Sequence, residues 1–195
     1  MNPLPVGVIL AGGQSRRFGS DKPLALLHGR PLIAHVIAAL APQTRALAIA
    51  SGSTPGRFAA FGLPELADPL ADAGPLAGVL AGLTWAATLA PKPTHLLTAP
   101  ADGPFLPADL SETLVQADPH GTRPVIAAYG GNASPVVALW PLALAPALFD
   151  LVTRGLRRVI EAAIRLNAVT VDLPGPLDPL ADIDTPTDLV RAQQG

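Results

Sequence analysis

Cysteine is absent from all 195 residues. That excludes a disulfide framework, a thiolate nucleophile and any zinc or iron–sulfur site built on Cys ligands. Charge is scarce: 14% of residues are Asp, Glu, Lys or Arg, the formal net charge is -2 and the pI is near 6.0. A nucleic-acid surface needs concentrated basic residues, so no nucleic-acid partner is expected. Long uninterrupted apolar runs are missing too. Mean hydropathy is high at +0.39, but Ala and Pro carry much of the composition. The opening MNPLPVGVILAGG has no basic leader segment and only a short apolar run, which reads as a buried strand. The expectation is a cytoplasmic protein with no membrane partner. The few histidines, His28, His35, His95 and His120, show neither triad nor metal-ligand spacing and are expected to be structural.

Lysine is almost absent: of 13 basic residues only Lys22 and Lys92 are lysines. Against that background Leu10–Lys22, LAGGQSRRFGSDK, stands out. It gathers Arg16, Arg17 and Lys22 beside Gly12, Gly13 and Gly19. Glycines after a first strand let backbone N–H groups approach an anion closely. Arg forks match phosphate oxygens, and Lys is a movable point charge. Two common phosphate fingerprints do not occur: no Gly-Lys-Ser/Thr of a P-loop, no G-x-G-x-x-G of a dinucleotide fold. The cations lie within the loop itself. This suits a reaction in which negative charge shifts along a phosphate chain.

Apolar strand-like runs alternate with helical stretches. Strands are predicted at 5–10, 46–50, 94–98, 125–129, 135–140 and 169–173. Helices are predicted at 31–40, 75–89, 106–116, 142–153, 157–166 and 186–193, the last capped by Asp184 or Thr185. Gly78 and Gly82 are expected to weaken the second helix. The alternation predicts an α/β fold of one domain spanning residues 1–195. It is three-layered (αβα), with a mostly parallel mixed sheet. The Gly130–Gly131 turn predicts one antiparallel strand. Ligands in such sheets bind beyond the carboxyl ends of the strands, which selects the loops after Leu10, Ala50 and Thr98.

The opening loop resembles the L-A-G-G-x-S-x-R-[MF]-G-x-D-K signature of the molybdenum cofactor guanylyltransferases, within the wider nucleotidyltransferases. Further blocks follow in the same order. Asp68-Pro69-Leu70 with Gly74-Pro75-Leu76-Ala77-Gly78 is similar to the family's D-x-x-x-x-x-G-P-L-A-G block. Ala101-Asp102-Gly103-Pro104-Phe105-Leu106-Pro107 is similar to C-D-x-P-F-[IL]-P. Ile183-Asp184-Thr185-Pro186-Thr187-Asp188-Leu189 is similar to N-T-P-x-D-L. The resemblance covers essentially the whole chain and implies a Rossmann-like nucleotidyltransferase fold.

It also implies a reaction: transfer of GMP from GTP to the phosphate of molybdenum-bound molybdopterin, with Mg²⁺ as cofactor and pyrophosphate as the second product. Arg17 and Lys22 are the implied catalytic cations. Leu10, Ala11, Gly12, Gly13, Lys22, Asp68 and Asp102 are the implied nucleotide-binding residues. Asp102 is the implied metal ligand and Asp184 a second one, or a helix cap. Arg157 and Arg158 are candidates for the pterin phosphate, or a solvated helix face. A molybdenum-insertion protein and molybdoenzyme chaperones are implied as further partners. Two alternatives stay open. Asp182 and Asp184, where relatives carry asparagines, lean toward a cytidylyltransferase using CTP, whereas Gly12 favours guanine. The other alternative is a nucleotide-binding regulator without catalysis.

Overall fold

The computed structural model describes residues 4–12, 18, 21–52, 54, 56–70 and 73–194. The apolar run VGVIL forms β1, Val6–Leu10. A short antiparallel pair follows, β2 (Leu26–Leu27) and β3 (Arg30–Pro31), joined through His28 and Gly29. Helix α1 is Leu32–Leu40, and strands β4 (Leu47–Gly52) and β5 (Glu65–Ala67) come next. Helix α2 is Pro75–Ala87, β6 is His95–Pro100 and α3 is Leu110–Ala117. A hairpin of β7 (Val125–Tyr129) and β8 (Asn132–Pro141) turns at Gly130 and Gly131, whose φ of 56° and 79° a two-residue hairpin turn requires. Helices α4 (Ala145–Thr153) and α5 (Val159–Arg165), strand β9 (Val169–Asp172) and helix α6 (Pro186–Ala192) complete the order.

The main sheet has seven strands in the order β5-β4-β1-β6-β8-β7-β9. Strand β8 runs antiparallel to both its neighbours and every other adjacent pair is parallel, the mixed pattern expected. Side chains alternate across the sheet. Val6 and Val8 of β1 pack with α2, α4 and α5 on one face, while Ile9 packs with α1 and α3 on the other. Trp140 of β8 is fully buried in the first of these cores, and its indole N–H donates to the Thr98 hydroxyl at 3.3 Å. Among the described residues no helix is long and apolar enough to cross a membrane.

Some expectations shift. The helix predicted at 142–153 opens with a separate 3-10 turn, Leu142–Leu144, because Pro146 has no N–H to continue that turn. The one predicted from 106 starts at Leu110, since Pro107 disfavours helical geometry at the residue before it. Strand β5 was not predicted: it is a three-residue edge strand, too short for a periodic signal. Gly78 and Gly82 have a packing reason. A Cβ on Gly78 would lie 2.8 Å from Leu10 Cδ2, and one on Gly82 would lie 2.8 Å from both Leu96 Cδ2 and Val8 Cγ1. The two glycines let α2 lie directly on β1 and β6, so their cost in helix propensity is offset by close packing.

Candidate active site

Strands β4, β1 and β6 lie side by side and finish at one edge. There the backbone stitches their loops together: Ala11 N–H donates to the Ala50 carbonyl at 2.9 Å, and Ala101 N–H donates to the Leu10 carbonyl at 3.1 Å. The three loops selected from sequence are therefore neighbours. Between the first and third is a cleft of about 190 Å³ lined by Leu10, Ala11, Gly12, Lys22, Pro23 and the Ala101–Asp102 pair. A larger hollow of about 480 Å³ sits at the opposite end of the strands, between Pro5, Gln43 and Val115, and no cation lines it.

Lys22 opens a 3-10 turn, Lys22–Leu24, with Pro23 holding its φ. Its ammonium contacts the Asp102 carboxylate and donates to Asp184 Oδ1 at 2.7 Å. Burial works to lower the Lys22 pKa, but the hydrogen bonds and charges of Asp102 and Asp184 outweigh it and leave the pKa above its ordinary value. Asp102 follows β6 by two residues. Its own carbonyl accepts the Ile183 N–H at 3.0 Å, which brings the C-terminal segment against the β6 loop. Ile183 is buried beside Phe18, Leu27 and Leu32 and anchors that crossing. The flanking Asp182 and Asp184 are thereby carried to the cleft.

Thr185, not Asp184, caps α6. The Thr185 hydroxyl accepts the Asp188 N–H at 3.2 Å and Asp188 Oδ2 accepts the Thr185 N–H at 2.8 Å, a complete capping box. The carboxylate of Asp184 is left for Lys22. Asp182 lies behind, close to Gly103: a Cβ there would sit 3.3 Å from Asp182 Oδ1. Burial first, then the charges of Asp102 and Asp184, push the Asp182 carboxyl up to about 7, with Lys22 pulling the other way.

Two carboxylates thus contact one ammonium with the Asp182 carboxyl close behind, a concentration of acidic groups that suits an additional cation. Among the described residues no three acidic or histidine side chains converge closely enough to hold a metal unaided. Asp102 and Asp184 are two carboxylates on one point, and Mg²⁺ commonly takes one or two carboxylates and completes its shell with phosphate oxygens and water. The donor set fits a phosphate-bound divalent ion.

That concentration predicts a pH dependence. The folded-state pKa of Asp182 lies above its unfolded value, so its ionisation disfavours the fold. The penalty is absent below about pH 4, grows as pH rises and is complete above about pH 7. Asp182→Asn should therefore gain on wild type between pH 5 and pH 8, in metal-free buffer, by about 1 kcal/mol, because Asp182 is exposed and solvent screens the charges around it. Denaturant melts at the two pH values measure this; a pH-independent difference contradicts it.

On the other side of the cleft, Gly12 and Gly52 run closely past each other. A Cβ on Gly12 would lie 3.6 Å from Gly52 Cα and 4.0 Å from Asp68 Oδ2. Burial raises the Asp68 pKa. Asp68 thus flanks the bare backbone of the first loop. Arg157 and Arg158 do not line the cleft. The Arg157 guanidinium donates to the Val152 and Leu156 carbonyls, both at 2.9 Å, and Arg158 pairs with Glu161 at the surface. Gly13, Arg16 and Arg17 lie outside the described residues.

Sequence reasoning missed Arg57. It donates to Asp21 through Nε at 2.8 Å and also through Nη2, and to the Ala11 carbonyl through Nη1 at 3.1 Å. Its guanidinium lies 4.7 Å over the Phe58 ring. The signal was its place in the loop after β4, one of the three loops at the ligand edge.

Residues 7–169 match the family model described as the MobA-like NTP transferase domain. The chain is 43% identical to the molybdenum cofactor guanylyltransferase of Rhodopseudomonas palustris, covering 99% of this chain and 94% of that one. It is also 43% identical to the Rhodobacter capsulatus protein of the same name, over 96% and 94%. Among solved structures, molybdopterin-guanine dinucleotide biosynthesis protein A of Archaeoglobus fulgidus superposes with a TM-score of 0.79 at 22% identity, covering 97% of each chain.

Proposed function

Since this chain belongs to the MobA-like NTP transferase family, we propose that it is a molybdenum cofactor guanylyltransferase, carrying GMP from GTP to the terminal phosphate of molybdopterin. One observation carries the reading: a single ammonium, Lys22, bridges Asp102 and Asp184 at the mouth of the strand-edge cleft.

A phosphate oxygen of molybdopterin attacks the α-phosphorus of GTP. The new P–O bond forms as the bond to the bridging oxygen of the β-phosphate breaks, and pyrophosphate leaves. The nucleophile is already an anion near neutral pH, so the site needs no side-chain base. It needs alignment, and relief from the repulsion between two phosphate chains. Lys22 supplies relief when its ammonium turns from the carboxylates to the triphosphate. Gly12, with Gly52 beneath it, leaves room for the nucleoside, and Asp68 stands beside that space. Asp102, with Asp184 opposite, would hold Mg²⁺, which when bound draws charge from the leaving pyrophosphate. Arg158, exposed at the start of α5, is the candidate for the pterin phosphate; the neighbouring Arg157, whose carbonyl lies by the Gly74 turn that opens α2, orders that segment through its bonds to the Val152 and Leu156 carbonyls. On this reading the enzyme works in the cytoplasm, alongside the GTP it consumes.

Purified protein given Mg²⁺, molybdopterin and each nucleotide in turn tests the reading. GTP should give the higher kcat/KM, with the guanine dinucleotide identified by mass and one pyrophosphate released per product. Preference for CTP would establish the cytidylyl alternative that Asp182 and Asp184 suggest. Nucleotide binding without pyrophosphate release would establish the regulator.

A further inference from the structure

Resting on the transferase reading above, we infer that Arg57 is a positioning residue for the reaction: it ties the two ends of the glycine loop and so fixes where Lys22 stands. Nine residues separate Ala11 from Asp21, and the same guanidinium holds both. Nη1 donates to the Ala11 carbonyl at 3.1 Å, while Nε, at 2.8 Å, and Nη2 fork onto the Asp21 carboxylate. Asp21 precedes Lys22 directly. It makes no side-chain cap to its own turn, although its carbonyl accepts the Leu24 N–H at 2.9 Å. Its carboxylate is spent on Arg57 instead.

The clamp is itself anchored. The Arg57 side chain is 16% exposed, which separates it from ordinary surface ion pairs of little consequence. The guanidinium stacks on Phe58, a fully buried ring of the α1-side core, and the Phe58 N–H donates to Glu65 Oε1 at 3.1 Å on β5. One rigid path therefore runs from the β4–β5 edge through Arg57 to the start of the Lys22 turn. Only an arginine can fork onto a carboxylate, reach a carbonyl and lie flat on an aromatic ring together.

The consequence is kinetic. A cation displaced by a fraction of its reach loses alignment with the triphosphate, and misplacements near 1 Å cost up to about 10²-fold. Arg57→Lys keeps the charge and loses the fork. It should lower kcat/KM for GTP by about 10–100-fold while the melting temperature stays within a few degrees of wild type. Asp21→Asn should do the same, and the double variant should be no worse than the poorer single, because the two share one contact. The decisive arm places Arg57→Lys in a Lys22→Ala background, where it should have no further effect on kcat. Hydrogen exchange of the free protein gives a readout that needs no turnover: amides of 21–27 should exchange faster in Arg57→Lys, with α2 unchanged. An Arg57→Lys enzyme within twofold of wild type overturns the inference. So does a full effect without Lys22, which would make Arg57 a group acting directly on substrate, or unchanged exchange at 21–27. A wild type that transfers no nucleotide overturns the transferase reading instead, and the exchange comparison still decides the role of Arg57.

Discussion

Lys22→Ala should lower turnover by about 10²–10³-fold, the usual loss when one preorganised charged donor is removed from a charge-developing site. The ammonium is placed for this by structure rather than by chance exposure: its side chain is 14% exposed and touches two carboxylates from distant parts of the chain. A lysine on an exposed loop would contribute little to stability. Its burial changes that. The variant leaves Asp102 and Asp184 facing each other, with Asp182 behind, and should lose about 1–3 kcal/mol of stability in metal-free buffer. Lys22→Arg separates the effects: it keeps the charge and most of the stability, but its planar head cannot occupy the point between two carboxylates that an ammonium fills. Pyrophosphate release and a denaturant melt on both variants decide it. Turnover of Lys22→Ala within a factor of two of wild type rules out the role.

Asp102→Asn removes the charge from the loop after β6 while keeping the shape. If Asp102 holds the metal, activity at ordinary Mg²⁺ falls by about 10²-fold or more, since the metal supplies several kcal/mol to the transition state. Raising Mg²⁺ should restore part of it, with Asp184 still in place. The variant should also free Lys22 to pair with Asp184 alone, so its stability loss should be smaller than that of Lys22→Ala. The measurement is a Mg²⁺ titration of turnover for both proteins. Superimposable curves would mean that Asp102 serves only Lys22 and that the metal is held elsewhere.

The fold was legible wherever local pattern and tertiary context agree. The alternation of apolar runs and helices, and the Gly130–Gly131 turn, specified a mixed sheet and its antiparallel strand. The ligand edge was legible because glycines and the rare lysine punctuate the end of β1. What stayed hidden depends on chain crossings. Lys22 meets Asp184 across 162 residues only because Ile183 is buried and its N–H bonds to Asp102. No pattern near Asp184 distinguishes a carboxylate aimed at a cation from a cap, and it took Thr185 closing the box with Asp188 to separate the two. Arg57 was hidden for a similar reason: an isolated arginine carries no period, and its value lies in the Ala11 carbonyl and the Asp21 carboxylate that the fold brings within reach of one guanidinium.

The seam of Gly78 and Gly82 has a mechanical meaning for the cleft. Helix α2 rests on Leu10, Val8 and Leu96 with no side chain between. Leu10 lines the cleft, and β6, which carries Leu96, runs on toward Asp102. The thickness of this contact acts as a gauge, setting how far the first-loop side of the cleft stands from the β6 side. A methyl group added to the seam, far from any phosphate, would act as a shim beneath the strands and spread that gap. Tolerances in this enzyme are therefore set partly in its dry interior, and a harmless-looking core substitution there would be felt as a change in catalytic rate.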